Sequence, residues 1–364
     1  MKNKIITISY LTVLFCFLFV NILTPKHEIS DSERRKLAAF PSLSADSLYD
    51  GKFMKDFEKY ALDQFVWRQG FRSIKSVLNM YVLRKQDNND IYLAGGHILK
   101  IEYPLRHQSV VNLAAKYNEI YDLYLEGMPV YYSIIPDKNY FVAESARRPA
   151  LDYALMESIL CQNLSNMSYI SLFDVLDIDD YYRTDLHWKQ ESLTEVVKRL
   201  AEAMGFAVFD GEFVEHEYYP FYGAYYGQAA LPLEPDRLVY LTNDVISRAN
   251  VENYDIDPQR PPCNTVYDTD RLGGIDSYDV FLSGPTFLTI ITNEDAVEER
   301  GLIIFRDSFT SSLAPLLLGG YSKITLVDLR YISFKELPRF IEFGNQDVLF
   351  LLGTQIANNS VMLK

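Results

Sequence analysis

Cysteine is scarce in this chain: Cys16, Cys161 and Cys263 are the only three. Cys16 lies inside an apolar run, so a single disulfide between Cys161 and Cys263 is the most the chain can form, and free thiols are the expectation. The five histidines show no metal-ligand spacing and no Cys-x-x-Cys pair occurs, which argues against a structural zinc. Positive charge is also in short supply, with 35 Lys and Arg against 49 Asp and Glu and a formal charge of −14. Nucleic-acid surfaces need clustered cations, so that class is excluded. Internal repeats and low-complexity tracts are absent too. The 48% apolar content is that of a globular chain with a full core.

What is abundant is aromatic: 27 tyrosines and 22 phenylalanines. Most are expected in the core or in a groove wall, with a minority available to stack on sugar rings. An uncharged run from Ile5 to Leu23 follows Lys2 and Lys4 and is close to the roughly 20 residues that span a bilayer. No small-x-small cleavage site follows it, and Phe15 before Cys16 spoils a lipoprotein box. The run therefore reads as an uncleaved anchor rather than a signal peptide, with the lysines inside and the rest of the chain outside.

Residues 28–85 read as a polar tether followed by two amphipathic helices. Phe53, Phe57, Ala61 and Phe65 recur every four residues, and Phe71, Ile74, Leu78 and Tyr81 follow at helical spacing. Packing over the domain that follows would suffice to explain them. Residues 86–364 read as one α/β domain. Gly95-Gly96 marks a hairpin, Ser109 is placed to cap a helix running to Gly127, and Val130–Ile135 is a buried strand ending in Pro136-Asp137-Lys138. Residues 206–280 lack clear periodicity and read as an irregular insertion. From Gly301 the pattern is strand–helix–strand–helix–strand, which predicts a mostly parallel sheet with helices on both faces. Pro315 should cut the first of those helices short.

The chemistry concentrates in two stretches. Tyr181-Tyr182-Arg183-Thr184-Asp185-Leu186-His187-Trp188 sets an acid two residues before a histidine, and a carboxylate on Nδ1 is what a general-base imidazole needs. Far downstream, the apolar run from Gly301 ends in Arg306-Asp307-Ser308-Phe309 where a helix should begin. Free N–H groups at such a junction suit an oxyanion. Asp185, Thr184 and Ser308 would also serve as plain helix caps. Asp185, His187 and Asp307 offer mixed metal ligands, but no second histidine completes a set, so no metal and no cofactor are expected.

Together these stretches resemble the SGNH hydrolase-like proteins of the DHHW family and the alginate O-acetyltransferase group. There a Thr-Asp-x-His-Trp segment supplies acid and base, and a later Asp-Ser-Phe segment supplies the nucleophile. Ser32–Pro41, Asp63-Gln64-Phe65 with Arg68, Phe221-Tyr222-Gly223 and Val327-Asp328-Leu329-Arg330-Tyr331 are similar to further family blocks. Arg34 stands where that family has Asn. Arg306 stands where Gly-Asp-Ser hydrolases have glycine, and Ser283-Gly284-Pro285 stands where the family shows Gly-Gly-Asn.

The resemblance implies an SGNH-like three-layer α/β fold and acyl transfer by Ser308, His187 and Asp185. The oxyanion donors would be the Ser308 amide with Gly284 N–H or Gln355. The acceptor would be a cell-surface or exported polysaccharide, with acetyl supplied by a membrane-bound O-acyltransferase partner. Tyr182, Arg183, Arg330 and Tyr331 are candidates for binding the polymer. Trp188 flanks the same loop and is expected chiefly to support it. An esterase with the same triad and a non-catalytic polysaccharide-binding or export subunit remain the alternatives.

Overall fold

The computed structural model describes residues 2–30, 32–255, 263–294, 296 and 299–364. Residues 256–262 of the expected insertion lie outside that set. The chain divides into two compact units, Met1–Asn89 with Tyr226–Glu234, and Asp90–Tyr225 with Pro235–Lys364.

The first unit holds α1 (Lys2–Leu23), α2 (Lys52–Asp63) and α3 (Arg68–Val77), the last continuing as a wide turn over Leu78–Val82. Asn3–Leu23 is long and apolar enough to cross a membrane, and none of its length is buried. The Ser32–Pro41 segment acts as an ionic clamp. Arg35 grips Asp63 with Nη1 at 2.9 Å and Nη2 at 2.6 Å, while Glu33 pairs with Arg68 and Arg72. The hydrogen bonds between Arg35 and Asp63 outweigh desolvation at both groups, raising the guanidinium pKa and lowering that of the carboxyl. The apolar faces of α2 and α3 do not pack as expected. Phe57 and Phe65 are exposed, and so are Phe71, Ile74, Leu78 and Tyr81 along α3 and the turn after it, where Glu33 draws the polar side inward.

The second unit is built on a seven-stranded sheet. Its strands are β1 (Val130–Ile135), β2 (Ser168–Tyr169), β3 (Asn250–Asp255), β4 (Thr286–Thr292), β5 (Gly301–Arg306), β6 (Lys323–Val327) and β7 (Asp347–Gly353). Their order is β2-β1-β7-β5-β6-β4-β3. The first five run parallel, and β4 and β3 close one edge antiparallel. Residues alternate between two cores. In β5, Leu302 and Ile304 face the core shared with α6 (Thr194–Met204), while Ile303 and Phe305 face the core shared with α4 (His107–Ile120) and α5 (Tyr153–Asn163). Burial on both faces is why these strands read as continuous apolar runs.

One local expectation holds and others change. The hairpin Ile91–Ala94 with His97–Lys100 forms around Gly95 and Gly96, whose φ values of 56° and 81° only glycine adopts freely. Ser109 does not cap α4, which starts at His107; its hydroxyl bonds Ala357 O at 3.0 Å and accepts from Ser360 N–H at 2.7 Å. After β5 the helix covers Thr310–Leu313 and tightens to a 3-10 turn at Ala314–Leu317, with Pro315 at its start. After β6 only the 3-10 turn Phe334–Arg339 forms, with Pro338 inside it. The insertion contributes a hairpin, Val214–Phe221 with Asp236–Thr242, and the edge strand β3.

Candidate active site

Four strand ends meet at the carboxyl edge of the sheet: Pro136-Asp137-Lys138 after β1, Asp307-Ser308 after β5, Asp328-Leu329-Arg330 after β6 and Thr354-Gln355 after β7. Ligand sites in open α/β sheets form at such edges. The stretch from Tyr181 to Trp188 arrives there from elsewhere in the chain. A bridge between Tyr181 and Trp188, with Tyr182 N–H on His187 O at 3.1 Å, closes the loop that carries Asp185 and His187.

The loop brings acid, base and hydroxyl into line. His187 Nε2 lies 2.8 Å from Ser308 Oγ, and His187 Nδ1 lies 2.6 Å from Asp185 Oδ1. Asp185 also accepts the His187 N–H at 3.0 Å and, on its other oxygen, the Ala224 N–H at 2.6 Å. It is fully buried, so those donors replace lost water. The His187 ring stacks on Tyr278 at 3.9 Å and 8°, and its edge meets Phe309 at 4.9 Å. These contacts fix both the ring plane and the nitrogen that faces Ser308.

The surrounding shell was largely hidden in the sequence. Asp236 accepts from Thr184 N–H at 2.7 Å and Thr184 Oγ1 at 2.6 Å, pinning the residue before Asp185. Gly223 donates to Thr184 Oγ1 at 2.9 Å, and any Cβ there would collide with the Thr184 carbonyl and the Asp185 side chain. Trp188 Nε1 donates to Phe309 O and to Ser312 Oγ, both at 3.0 Å, tying the base loop to the nucleophile segment. Tyr278 shares a 2.9 Å bond with the same Ser312 hydroxyl. Ser312, Tyr278 and Asp236 had no sequence signal beyond their residue type.

Asp307 does not face the imidazole; it accepts from Gly353 N–H at 2.7 Å and Phe309 N–H at 3.1 Å and so braces the turn after β5. Burial raises its pKa, opposed by the Arg330 charge and these two donors. Arg306 points into the protein, donating to Ser311 Oγ at 2.9 Å and Thr286 Oγ1 at 3.2 Å, and burial lowers its pKa. The Arg-for-Gly departure therefore fills interior space behind the turn. Among the described residues, no acceptor takes the Ser308 N–H, which stays available as an oxyanion donor.

Some of the other expected binding residues are placed differently. Tyr182 is fully buried against Phe221 and Tyr278, so it offers no face to a sugar; the bridge pairing turns its side chain inward. Trp188 is equally buried and can only support. Gly284 N–H is taken by Phe281 O at 3.2 Å, and a Cβ at this position would strike the Asp279 carboxylate, so Gly284 serves a turn rather than an oxyanion. Arg330 is locked to Asp328 by a bidentate pair at 2.9 and 2.6 Å; burial lowers its pKa, and the pair raises it by more. Tyr331 lies beneath that guanidinium at 5.4 Å. Arg183 remains about half exposed, with its backbone N–H on Asp236 at 3.0 Å. Gln355 donates to Tyr225 Oη at 3.0 Å and lines a recess with Phe309, Leu186 and Lys138. Cys161 and Cys263 are free thiols. No cluster of metal-ligand type occurs among the described residues.

The second unit is therefore a mostly parallel three-layer α/β fold with helices on both faces of the sheet. No family model and no curated protein matches the chain. Among solved structures, it resembles a DHHW family protein from Eubacterium siraeum DSM 15702 (TM-score 0.62, 19% identity, 74% of this chain and 93% of that one). It also resembles Bacillus cereus PatB1 with a sulfonyl adduct (TM-score 0.57, 16% identity, 73% and 95%). The O-acetyltransferase domain of Pseudomonas putida AlgJ aligns over 74% of this chain and 93% of its own, at TM-score 0.46 and 12% identity.

Proposed function

We propose that this protein is a membrane-anchored, extracytoplasmic O-acetyltransferase that acylates a cell-surface or exported polysaccharide through Ser308, His187 and Asp185. The observation that carries the reading is the continuous line from Asp185 Oδ1 through His187 to Ser308 Oγ, at 2.6 and 2.8 Å. Ser308 Oγ attacks the donor's acyl carbon while His187 Nε2 takes the hydroxyl proton. Asp185 holds the Nδ1 proton and stabilises the imidazolium. The proton passes to the leaving group as the acyl–serine forms. In the second half, His187 takes a proton from the acceptor hydroxyl, that oxygen attacks the acyl–serine, and Ser308 recovers its proton. Negative charge on the acyl oxygen falls to the Ser308 N–H, with Gln355 as a further donor.

The DHHW and PatB1 likenesses support the fold, and the sulfonyl adduct on PatB1 suggests the first test. The apolar run Asn3–Leu23 supports an anchor, with Lys2 and Lys4 on the cytoplasmic side. Acetyl is proposed to reach the site from a membrane-bound O-acyltransferase partner. The acceptor is proposed to run along a recess of about 380 Å³ that shares Lys100 and Gln355 with the one beside Phe309 and adds Glu102, Tyr103 and Arg106. Tyr103 is 64% exposed and offers the aromatic face that Tyr182 does not.

Full-length protein should take a sulfonyl label from phenylmethylsulfonyl fluoride at Ser308, located by peptide mass spectrometry. With a small acetyl ester as donor, adding an acetate-free oligosaccharide should yield acetylated sugar. Free acetate alone would identify an esterase. Neither label nor turnover would exclude the catalytic reading and leave a binding subunit.

A further inference from the structure

The first unit contains a helix turned inside out. Along α3 and the turn after it, Phe71, Ile74, Leu78 and Tyr81 lie on one stripe and are 45%, 57%, 47% and 59% exposed. The polar stripe is the buried one. Ser76 and Asn79 are enclosed and both bond Asn88, while Arg72 reaches Gly227 O at 2.7 Å and Glu33 at 3.0 Å. In water this arrangement is unfavourable on both sides, since apolar surface is solvated and polar groups are withdrawn.

The turn before α3 gives the direction of its surroundings. Phe65, Trp67 and Phe71 all pack on Phe17 of α1, with ring centroids 5.9, 6.2 and 6.0 Å away. The Val66 N–H donates to Asn21 Oδ1 at 2.8 Å. Phe17 lies six residues before the end of α1, about 9 Å along its axis. If α1 spans the bilayer, rings stacked on Phe17 lie at acyl-chain depth rather than in water. The segment is also locally basic. Residues 52–85 carry eight Lys and Arg against three Asp and Glu, in a chain whose total charge is −14. Amphipathic segments with aromatic and basic residues favour an anionic lipid interface.

We propose that Gln64–Leu83 is a monotopic second membrane contact, its Phe65–Trp67 turn and the apolar stripe of α3 embedded in the outer leaflet of an anionic phospholipid bilayer. The proposal rests on the reading of α1 as a membrane span. It makes the first unit a two-point anchor and not a flexible tether.

The test uses the full chain reconstituted in phosphatidylcholine–phosphatidylglycerol vesicles. The protein has two tryptophans, and Trp188 is fully buried, so lipid-dependent changes report Trp67. Lipids brominated on the upper acyl carbons should quench Trp67, and W67F should lose the quenched component. In the W67F background, Ile74→Trp should restore quenching and extend the result to the helix. Alkaline carbonate extraction run in parallel reports α1: release of the chain means that the spanning reading has failed. Carbonate-resistant protein with no quenching at either position overturns the second contact and leaves a protein partner as the cover. Quenching at Trp67 without quenching at Ile74→Trp also overturns it, because the embedded stripe is then absent.

Discussion

Lys138 offers a sharp test of the physical account of the active-site loop. The residue is 3% exposed, and its ammonium donates to Tyr182 O at 3.0 Å and Arg183 O at 3.3 Å, 5.4 Å from the centre of the Tyr225 ring. Burial drives its pKa down from 10.5 to about 7, against the pull of Asp185, Asp236 and Asp137. Between these values the unfolded chain holds a proton that the folded chain has released, so stability rises with pH across that window. At about 1.4 kcal/mol per pH unit, the gain from this one group between pH 7 and 9.5 is roughly 3 kcal/mol. Lys138→Met removes the titration and also strands two carbonyl acceptors, each worth about 1–3 kcal/mol. At pH 6 the relief from burying a charge offsets those losses, and the variant should unfold within about 2 kcal/mol of wild type. By pH 9.5 it should have fallen behind by about 3 kcal/mol more. Urea denaturation of the full chain in detergent at fixed ionic strength, followed by Trp188 emission, measures both. Parallel pH profiles for the two proteins would refute the reasoning, because they would mean that Lys138 never gives up its proton on folding.

Further outcomes follow from the same geometry. Asp185→Asn should leave the fold intact and cut kcat on a small ester by roughly 10³–10⁴-fold, because the imidazole loses the acceptor that sets its tautomer; steady-state kinetics at saturating ester measure it. Tyr182→Ala empties a fully buried site and should cost about 3–5 kcal/mol of stability by urea titration, depressing ester and polymer activities together. Tyr103→Ala should instead raise KM for an oligosaccharide acceptor while leaving hydrolysis of the small ester unchanged. Trp188→Phe forfeits the indole bonds to Phe309 O and Ser312 and should destabilise by about 1–3 kcal/mol in the same titration.

The sheet was legible because Val130–Ile135, Gly301–Phe305, Lys323–Val327 and Asp347–Leu352 are strand-length apolar runs separated by turn residues, a pattern that burial on both faces produces. The juxtaposed Asp185, His187 and Ser308 were legible because the chemistry of a general base dictates residue type and close context. What escaped was whatever depends on long-range packing. A tyrosine at 278 carries no mark that it will stack on an imidazole, and Asp236 looks like any acid in a loop until Thr184 is folded onto it. Tyr182 was misplaced for a related reason. Alternation along a bridge of a few residues decides which face a side chain takes, and that register is set by Trp188 and Phe221, not by the neighbours in sequence. The helices of the first unit show the converse. Their periodicity was plain, yet periodicity names a stripe without saying which side of it meets the solvent.

The indole of Trp188 hangs from the loop of the base and hydrogen-bonds the backbone of the nucleophile segment, and Ser308 and His187 are separated by 121 residues. No stretch of chain can therefore assemble the reactive pair by itself while it is being made. Activity should appear only with completion of the last strands of the sheet, late and all at once, as expected where contacts of long sequence separation must close together. On the proposed reading, Ser308 stays unreactive until the chain has folded, because folding itself brings His187 to it.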